Sequence, residues 1–370
     1  MRLDPAGVPL PNRSRHAHRA RYLLAGICGL SLLAAAGCGG IPDSAGTTVS
    51  STVTIAAVPG VDDAGIYLAQ KDGLFAAEGL TSVRIVAEKN QAQVLNALQS
   101  GQADIAASDY GDVFYQQAYQ QARSKNPRQP IFRILADGYD ATAGVLEVLT
   151  LPGKPGKQAL SPLNLADPHV HVGIPNDDYL AKLKGSGAPP SLDAAAATNV
   201  LSNYLGNAAD SVQWEAMPQS EEITALQQHK VQAILVSEPY IYRAESLDGA
   251  VEVVDACSGN TAGLPLLGYV AMSAWVRDNP AAVADFQAAL AKAQAEAAVT
   301  GKVQGVLPGL PRVPGAAKIN TQTADLITIG SYPTSTTVAN LQAVVRLLST
   351  TYHMIANAPL VPPMVVGPGG

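Results

Sequence analysis

The sequence contains few cysteines, few aromatic residues and few charges. Charged residues make up 15% and aromatic residues 5% of its 370 residues. Cys257 is the only cysteine after residue 38, so no disulfide is expected in that part of the chain. No Cys-x-x-Cys or Cys/His zinc pattern occurs, and we expect neither a metal nor another cofactor. No apolar run after residue 38 is long enough to span a bilayer.

Acidic residues outnumber basic ones, which argues against a nucleic-acid partner. The formal net charge is −6. Residues 1–37 carry five arginines and one aspartate, so the rest of the chain holds 19 basic and 29 acidic residues. This balance does not provide the basic surface with which proteins neutralise nucleic-acid phosphates.

The first residues are typical of a bacterial export signal. Arginines precede an apolar stretch, Tyr22–Ala36, that is too short for a comfortable membrane span. Small residues then precede Cys38, which is similar to the site at which lipoproteins are cleaved and lipidated. We expect a signal peptide at residues 1–37, lipid on Cys38 and a flexible tether at residues 38–51, with the protein anchored to the outer face of the cell membrane. The alternative is an ordinary cleaved signal followed by an incidental cysteine.

Strand-like and helix-like segments alternate from residue 52 onward. β-branched runs predict strands, and apolar positions at helical spacing predict the helices between them. Such alternation is typical of α/β folds with mainly parallel sheets. Prolines near residues 152–162 divide the alternation into two parts, and residues 301–314 are predicted as a loop.

One short segment recurs later in the chain. Residues 97–105, ALQSGQADI, are similar to residues 225–233, ALQQHKVQA, at an offset of 128. Both are predicted as a helix end, a turn and a short buried strand. The identity is low enough to arise by chance, but duplication of one α/β unit would produce two lobes with a ligand-binding cleft between them.

Three segments resemble the nitrate/sulfonate/taurine-type solute-binding proteins, a family that also includes binders of thiamine precursors. They are Leu68–Leu80, Leu95–Asp104 and Ser237–Tyr240, in the family's order. The second repeat departs from the pattern, because His229 stands where glycine is usual and Gln232 where aspartate is usual.

The resemblance implies a periplasmic-binding-protein type II fold, in which two α/β lobes enclose a ligand cleft and meet at a hinge. Lobe 1 would hold residues 52–150 and 264–350, lobe 2 residues 151–263, and residues 351–370 would form a C-terminal tail. The implied function is the extracytoplasmic solute-binding component of an ABC importer. Its partners would be a small-molecule ligand and the permease and ATPase complex, and we expect a monomer.

The candidate ligand site lies in the loops that follow the strands, because ligands of open α/β sheets bind beyond the carboxyl ends of strands. The acidic residues there also fit helix N-caps, and the tyrosines also fit a half-buried core. No catalytic residue is expected. The candidate ligand-binding residues are Asp62, Asp63, Ser108, Asp109, Tyr110, Tyr139, Asn176, Asp177, Glu238 and Tyr240.

The charge of these loops favours some ligands over others. The loops carry several carboxylates and no lysine or arginine, and each nearby carboxylate would oppose a bare anion by about 1 kcal/mol or more. We therefore expect an amine, a zwitterion or an aminopyrimidine, with taurine or another sulfonate less favoured.

Two other functions are left open by the sequence. The fold also resembles thiamine-pyrimidine synthases and menaquinone-pathway enzymes, which are generally cytoplasmic, whereas this chain has a predicted export signal. His169 and His171 fit either a metal pair or an exposed strand face. Ser237 lacks the Gly-x-Ser-x-Gly context of a hydrolase nucleophile. A lipoprotein that presents its ligand to a receptor as a sensor is the other alternative.

Overall fold

The computed structural model describes residues 52–126, 128–153, 158–175 and 191–367. In these residues the chain forms two mixed sheets of five strands, each packed against helices. None of the helices described there is long and apolar enough to cross a bilayer. The predicted signal peptide, Cys38, the tether, Asn176 and Asp177 lie outside the described residues.

The strands occur close to where β-branched runs predict them. Their bounds are Val53–Ala57 (β1), Val83–Ala87 (β2), Ile105–Asp109 (β3), Phe132–Asp140 (β4), Leu146–Thr150 (β5), His171–Pro175 (β6), Gln213–Met217 (β7), Ala233–Ser237 (β8), Val251–Asp255 (β9) and Pro265–Met272 (β10).

Four of the described helices, α3, α4, α5 and α11, begin at a residue whose side chain caps the helix. Asn90 accepts a hydrogen bond from Gln93 N at 3.0 Å, and Ser191 accepts one from Ala194 N at 3.1 Å, each at a helix start. The helices are Ala64–Lys71 (α1), Leu74–Ala77 (α2), Gln91–Gln99 (α3), Tyr110–Gln121 (α4), Leu192–Leu205 (α5), Gln219–Gln227 (α6), Tyr240–Asp248 (α7), Ser273–Asp278 (α8), Pro280–Ala297 (α9), Thr300–Val306 (α10), Thr321–Ala324 (α11) and Val338–Arg346 (α12).

The two sheets have the same topology. Their strand orders are β2-β1-β3-β10-β4 and β7-β6-β8-β5-β9. In each sheet the three strands at one side are parallel, and the next strand runs antiparallel to its two neighbours. Each sheet with its helices is one lobe, which confirms the predicted type II fold and corrects the expectation of mainly parallel sheets.

The similar segments also share their local conformation. Gly101 has φ 73° and His229 has φ 57°, so both turns use the left-handed region in spite of the departure from glycine. The N–H groups of the following residues, Gln102 and Lys230, donate to helix carbonyls at 2.9 Å in both lobes. Together with the common strand order, this supports duplication of one α/β unit.

The chain crosses between the lobes at two neighbouring segments, residues 141–145 and 256–264. Ala141 N donates to Leu264 O, and Gly263 N donates to Ala141 O, both at 2.8 Å, so the crossings are paired. The expected lobe boundary after residue 150 is too late, because β5 belongs to the second sheet. The alternating polarity of β5 does not reveal which sheet it joins.

Two further expectations are corrected near the C-terminus. Residues 301–314 contain α10 instead of being entirely a loop. The predicted tail at 351–370 packs against lobe 1: Met364 is fully buried, and Val366 N donates to Ile134 O at 2.9 Å. Its prolines and glycines suggested loose order, but its spaced Val and Met side chains pack into the core.

Candidate functional site

A cavity of about 340 Å³ lies between the two lobes, at the carboxyl ends of their strands. Its lobe 1 wall comes from the β1–α1, β2–α3 and β3–α4 loops and from β10. Its lobe 2 wall comes from β5, the end of β6, the first turn of α5 and the loops that lead into α6 and α7. Residues 314–317 and Ile319 add a third wall. A volume of this size fits a small solute.

Five of the predicted residues line this cavity, and three do not. The lining residues among them are Asp62, Asp109, Tyr139, Glu238 and Tyr240. Asp63, Ser108 and Tyr110 are fully buried inside lobe 1, away from the cavity surface. The strand-end rule selects loops that line the cavity, but it does not show which of two adjacent side chains points outward.

Tyr110 is held inside lobe 1 by two neighbours. The Tyr110 hydroxyl donates to the Asp137 carboxylate. The Tyr110 ring lies so close to Gly268 that a Cβ atom on residue 268 would collide with the ring. Asp63 is also buried, with neither carboxylate oxygen hydrogen-bonded among the described residues. Burial, reinforced by the charge of Asp62, raises the pKa of Asp63 well above its ordinary value.

Several lining residues are not predicted from the sequence. Lys89, Asn90 and Gln91 follow β2 and extend the lobe 1 wall, while Asp193 comes from the first turn of α5. Lys89 corrects the expectation that the site has no basic residue. The loop after β2 could have been included by the same strand-end rule, whereas nothing in the sequence places residues 314–319 at the cavity.

Three carboxyl groups of the cavity, those of Asp62, Asp109 and Glu238, have raised pKa values. Burial raises the pKa of Asp62 to about 6, although backbone N–H groups of the same loop oppose this shift. Burial, followed by the charges of Asp193 and Asp112, raises the pKa of Asp109 well above its ordinary value. Burial also raises the pKa of Glu238. A cation entering the cavity would relieve this repulsion.

Asp109 caps α4 and also lines the cavity. The geometry therefore allows it to be a helix cap and a ligand-binding residue at the same time. Asp109 Oδ1 accepts a hydrogen bond from Asp112 N at 3.1 Å at the start of α4. Its own N–H donates to Gln91 Oε1 at 3.3 Å and joins two of the loops that line lobe 1.

Glu238 and Tyr240 connect lobe 2 to the segment that forms the third wall. Glu238 Oε1 accepts from Thr328 N at 3.0 Å, and its Oε2 accepts from Tyr242 N at 3.1 Å. The Tyr240 hydroxyl accepts from Ala317 N at 3.1 Å. Both side chains therefore have protein partners as well as an exposure to the cavity.

The described residues contain no group of three or more histidine, cysteine or carboxylate side chains that could hold a metal ion. His171 lies on β6 with its Nδ1 3.5 Å from Glu215 Oε2, and both side chains are exposed. The expectation that both histidines lie on one strand is wrong for His169, which is exposed in a turn before β6 begins.

Comparisons with known proteins agree with the fold. Residues 61–123 match the family described as NMT1/THI5 like. No curated protein matches the sequence. Among solved structures, the chain is similar to the ligand-binding component of an ABC-type import system from Staphylococcus aureus, solved with zinc bound. The identity is 16% and the TM-score 0.62, with 85% of this chain and 96% of that chain covered.

An alkanesulfonate-binding protein and a nitrate-binding protein are also similar in fold. The alkanesulfonate-binding protein SsuA from Xanthomonas axonopodis pv. citri, bound to MOPS, is 16% identical with a TM-score of 0.58, covering 85% of this chain and 98% of its own. The periplasmic nitrate-binding protein NrtA from Synechocystis PCC 6803 is 15% identical with a TM-score of 0.50, covering 69% and 65%. The predicted fold and the resemblance to nitrate- and sulfonate-type binding proteins are thereby confirmed.

Proposed function

We propose that this protein is the extracytoplasmic solute-binding component of an ABC importer. The observation that carries the proposal is a solute-sized cavity whose walls come from both lobes at their strand ends. A ligand in such a cavity contacts both lobes at once, so it favours the closed arrangement over an open one. The closed form would then be the one that docks on the permease and ATPase complex. The likeness to the import-system component from Staphylococcus aureus supports this role.

The charges of the cavity favour a ligand that carries a basic or hydrogen-donating nitrogen. Asp62, Asp109, Asp193 and Glu238 line the cavity, against the single basic residue Lys89 among the described lining residues. Because burial already disfavours their ionised forms, these carboxylates would gain by pairing with an ammonium or an aminopyrimidine. We therefore propose an amine, a zwitterion or an aminopyrimidine as the ligand.

A taurine-like zwitterion fits the same cavity less fully. Its sulfonate would need Lys89 and the N–H groups at the start of α6, where Gln219 and Ser220 line the cavity. Its ammonium would then meet the acidic wall. A bare anion such as nitrate would have only the first of these two interactions.

Calorimetry with nitrate, taurine and a thiamine-precursor pyrimidine tests the ligand class. We expect the pyrimidine to bind at one per protein and nitrate not to bind. Tight nitrate binding without pyrimidine binding would overturn the proposed ligand class. The enzyme alternative predicts turnover in the same mixtures, so chromatography of the incubated pyrimidine distinguishes chemical conversion from stoichiometric binding.

The predicted anchor is part of the proposal. We propose that Cys38 carries the lipid that holds the protein at the outer face of the cell membrane, where it acts as a monomer. Labelling of cells with a clickable fatty acid should mark the wild-type protein and leave Cys38→Ser unlabelled. Equal labelling of both proteins would contradict this anchor.

A further inference from the structure

The third wall of the cavity belongs to a segment that touches both lobes, which we call the strap and define as residues 310–331. It follows α10 in lobe 1, passes the β8–α7 loop of lobe 2, and returns to lobe 1 beside β4. Residues 314–317 and Ile319 line the cavity. The strap contains only the short helix α11, and most residues from 311 to 318 are exposed.

The strap is bound to lobe 2 by few contacts. Ala317 N donates to the Tyr240 hydroxyl at 3.1 Å, and Thr328 N donates to Glu238 Oε1 at 3.0 Å. The Ala317 side chain also packs against the small apolar cluster of lobe 2 that includes Tyr240. The Ala317 contact lies within the part of the strap that faces the cavity, and the Thr328 contact lies after it in sequence.

The strap is bound more firmly to lobe 1. Gly330 N donates to the Tyr139 hydroxyl at 2.7 Å, and Ser331 exchanges backbone hydrogen bonds with Asp140. Directly after the strap, the Tyr332 hydroxyl donates to Val61 O, and the Tyr332 ring packs edge-on against Tyr139 at 5.2 Å. If the lobes part, the strap therefore stays with lobe 1, and its contacts with Glu238 and Tyr240 break.

We propose that the strap is the gate of the cavity, and that Tyr240 and Glu238 are positioning residues that hold it shut. The proposal rests on the proposed solute-binding function, which it deepens by assigning entry and release to one segment. Local openings of this kind occur where a segment has exposed backbone and few buried contacts. Residues 311–318 of the strap are mostly exposed, whereas Ile319, Ala324 and Ile327 are buried in the core of lobe 1. The small residues of the strap, Gly315, Ala316 and Ala317, also leave the space in which the solute lies.

Hydrogen exchange measured by mass spectrometry tests the gate without any ligand. The variants are Tyr240→Phe and Glu238→Gln, which keep the size of each side chain and weaken its hydrogen bond to the strap. The matched controls are Tyr204→Phe and Glu245→Gln, because both side chains are exposed. Peptides from residues 310–331 should exchange about five to ten times faster in the first pair and at the wild-type rate in the controls.

Two results would overturn the proposal. One is unchanged exchange of the strap in both Tyr240→Phe and Glu238→Gln. The other is an equal acceleration of β5, β8 and β9, which would mean that the substitutions loosen lobe 2 as a whole. Since no ligand is present, neither result depends on whether the solute-binding function is correct.

Stopped-flow kinetics with the thiamine-precursor pyrimidine separate a gate from a ligand contact. Loosening a gate should raise the association rate of this probe as well as its dissociation rate, by about three- to tenfold in Tyr240→Phe. A rise in the dissociation rate alone would assign Tyr240 to direct ligand contact and overturn its positioning role. If this pyrimidine does not bind the wild-type protein, the ligand class fails and the exchange experiment still decides the gate.

Discussion

Gln232 accepts a hydrogen bond from the backbone N–H of His171 at 2.8 Å and returns one from its own N–H to His171 O at 2.9 Å. Asp104 makes the same two bonds with Thr54 in lobe 1, at 2.8 and 2.9 Å. Gln232 therefore binds the backbone of His171 in β6 in the same way as Asp104 binds the backbone of Thr54 in β1. A neutral amide replaces the carboxylate without loss of the arrangement.

Replacement of Gln232 by alanine should lower the free energy of unfolding by about 1–2 kcal/mol, because it leaves the partly buried His171 N–H without its acceptor. Gln232→Glu keeps an acceptor and should lie within about 0.5 kcal/mol of the wild type. Urea unfolding measures both, with the exposed Gln228→Ala as the control. If Gln232→Ala and Gln228→Ala are equally stable, the hydrogen bond from His171 to the Gln232 side chain does not stabilise the protein.

Gly268 should not tolerate even a methyl group. A Cβ at this position would collide with the Tyr110 ring, which is fully buried and hydrogen-bonded to Asp137, so the ring cannot move away freely. We expect Gly268→Ala to lower the unfolding free energy by about 2 kcal/mol or more.

The matched control for that substitution is Gly301→Ala. Gly301 lies in α10, and a Cβ there would meet no atom within 4 Å. Alanine favours helix, so this variant should be unchanged or more stable by up to about 1 kcal/mol. If thermal unfolding shows the same change in stability for Gly268→Ala and Gly301→Ala, the Tyr110 ring is not what excludes a side chain at residue 268.

The ligand-free protein should be more stable at pH 5 than at pH 7.5. Burial raises the pKa of Asp62 and of Asp137 to about 6, and the pKa of Asp140 and of Glu147 to about 7. Above pH 4 the unfolded chain releases protons that the folded chain still holds, so the unfolding free energy falls until these groups have ionised in the folded state.

Asp62→Asn removes one of these groups and should reduce the loss between pH 5 and 7.5 by about 1–2 kcal/mol. Urea unfolding at the two pH values measures the loss, and the exposed Asp210→Asn serves as the control. If the unfolding free energy of the ligand-free protein rises between pH 5 and 7.5, the raised pKa values of the buried carboxyl groups do not control its pH dependence.

The sequence predicts the lobes well because strand and helix periodicities, capping residues and the repeated segment are all local signals. It also places Asp62, Asp109 and Glu238 on loops that line the cavity, because the strand-end rule needs only the order of elements. It cannot show that Asp63 turns inward or that β5 joins the second sheet, since both depend on packing between distant segments. Residues 314–319 are held by a contact between Ala317 and Tyr240, which is far away in sequence.

The central claim is that the cavity binds a nitrogen-bearing solute through its acidic wall. The most direct test is a mass spectrum of the small molecules released from the purified wild-type protein and from Asp62→Asn/Asp109→Asn, prepared in parallel. Asparagine also caps helices, so the double variant removes charge while keeping the fold of the α4 start. We predict a solute with a basic nitrogen, near one per protein in the wild type and at least tenfold depleted in the variant. A stoichiometric anion without basic nitrogen, or equal retention by both proteins, would contradict the account.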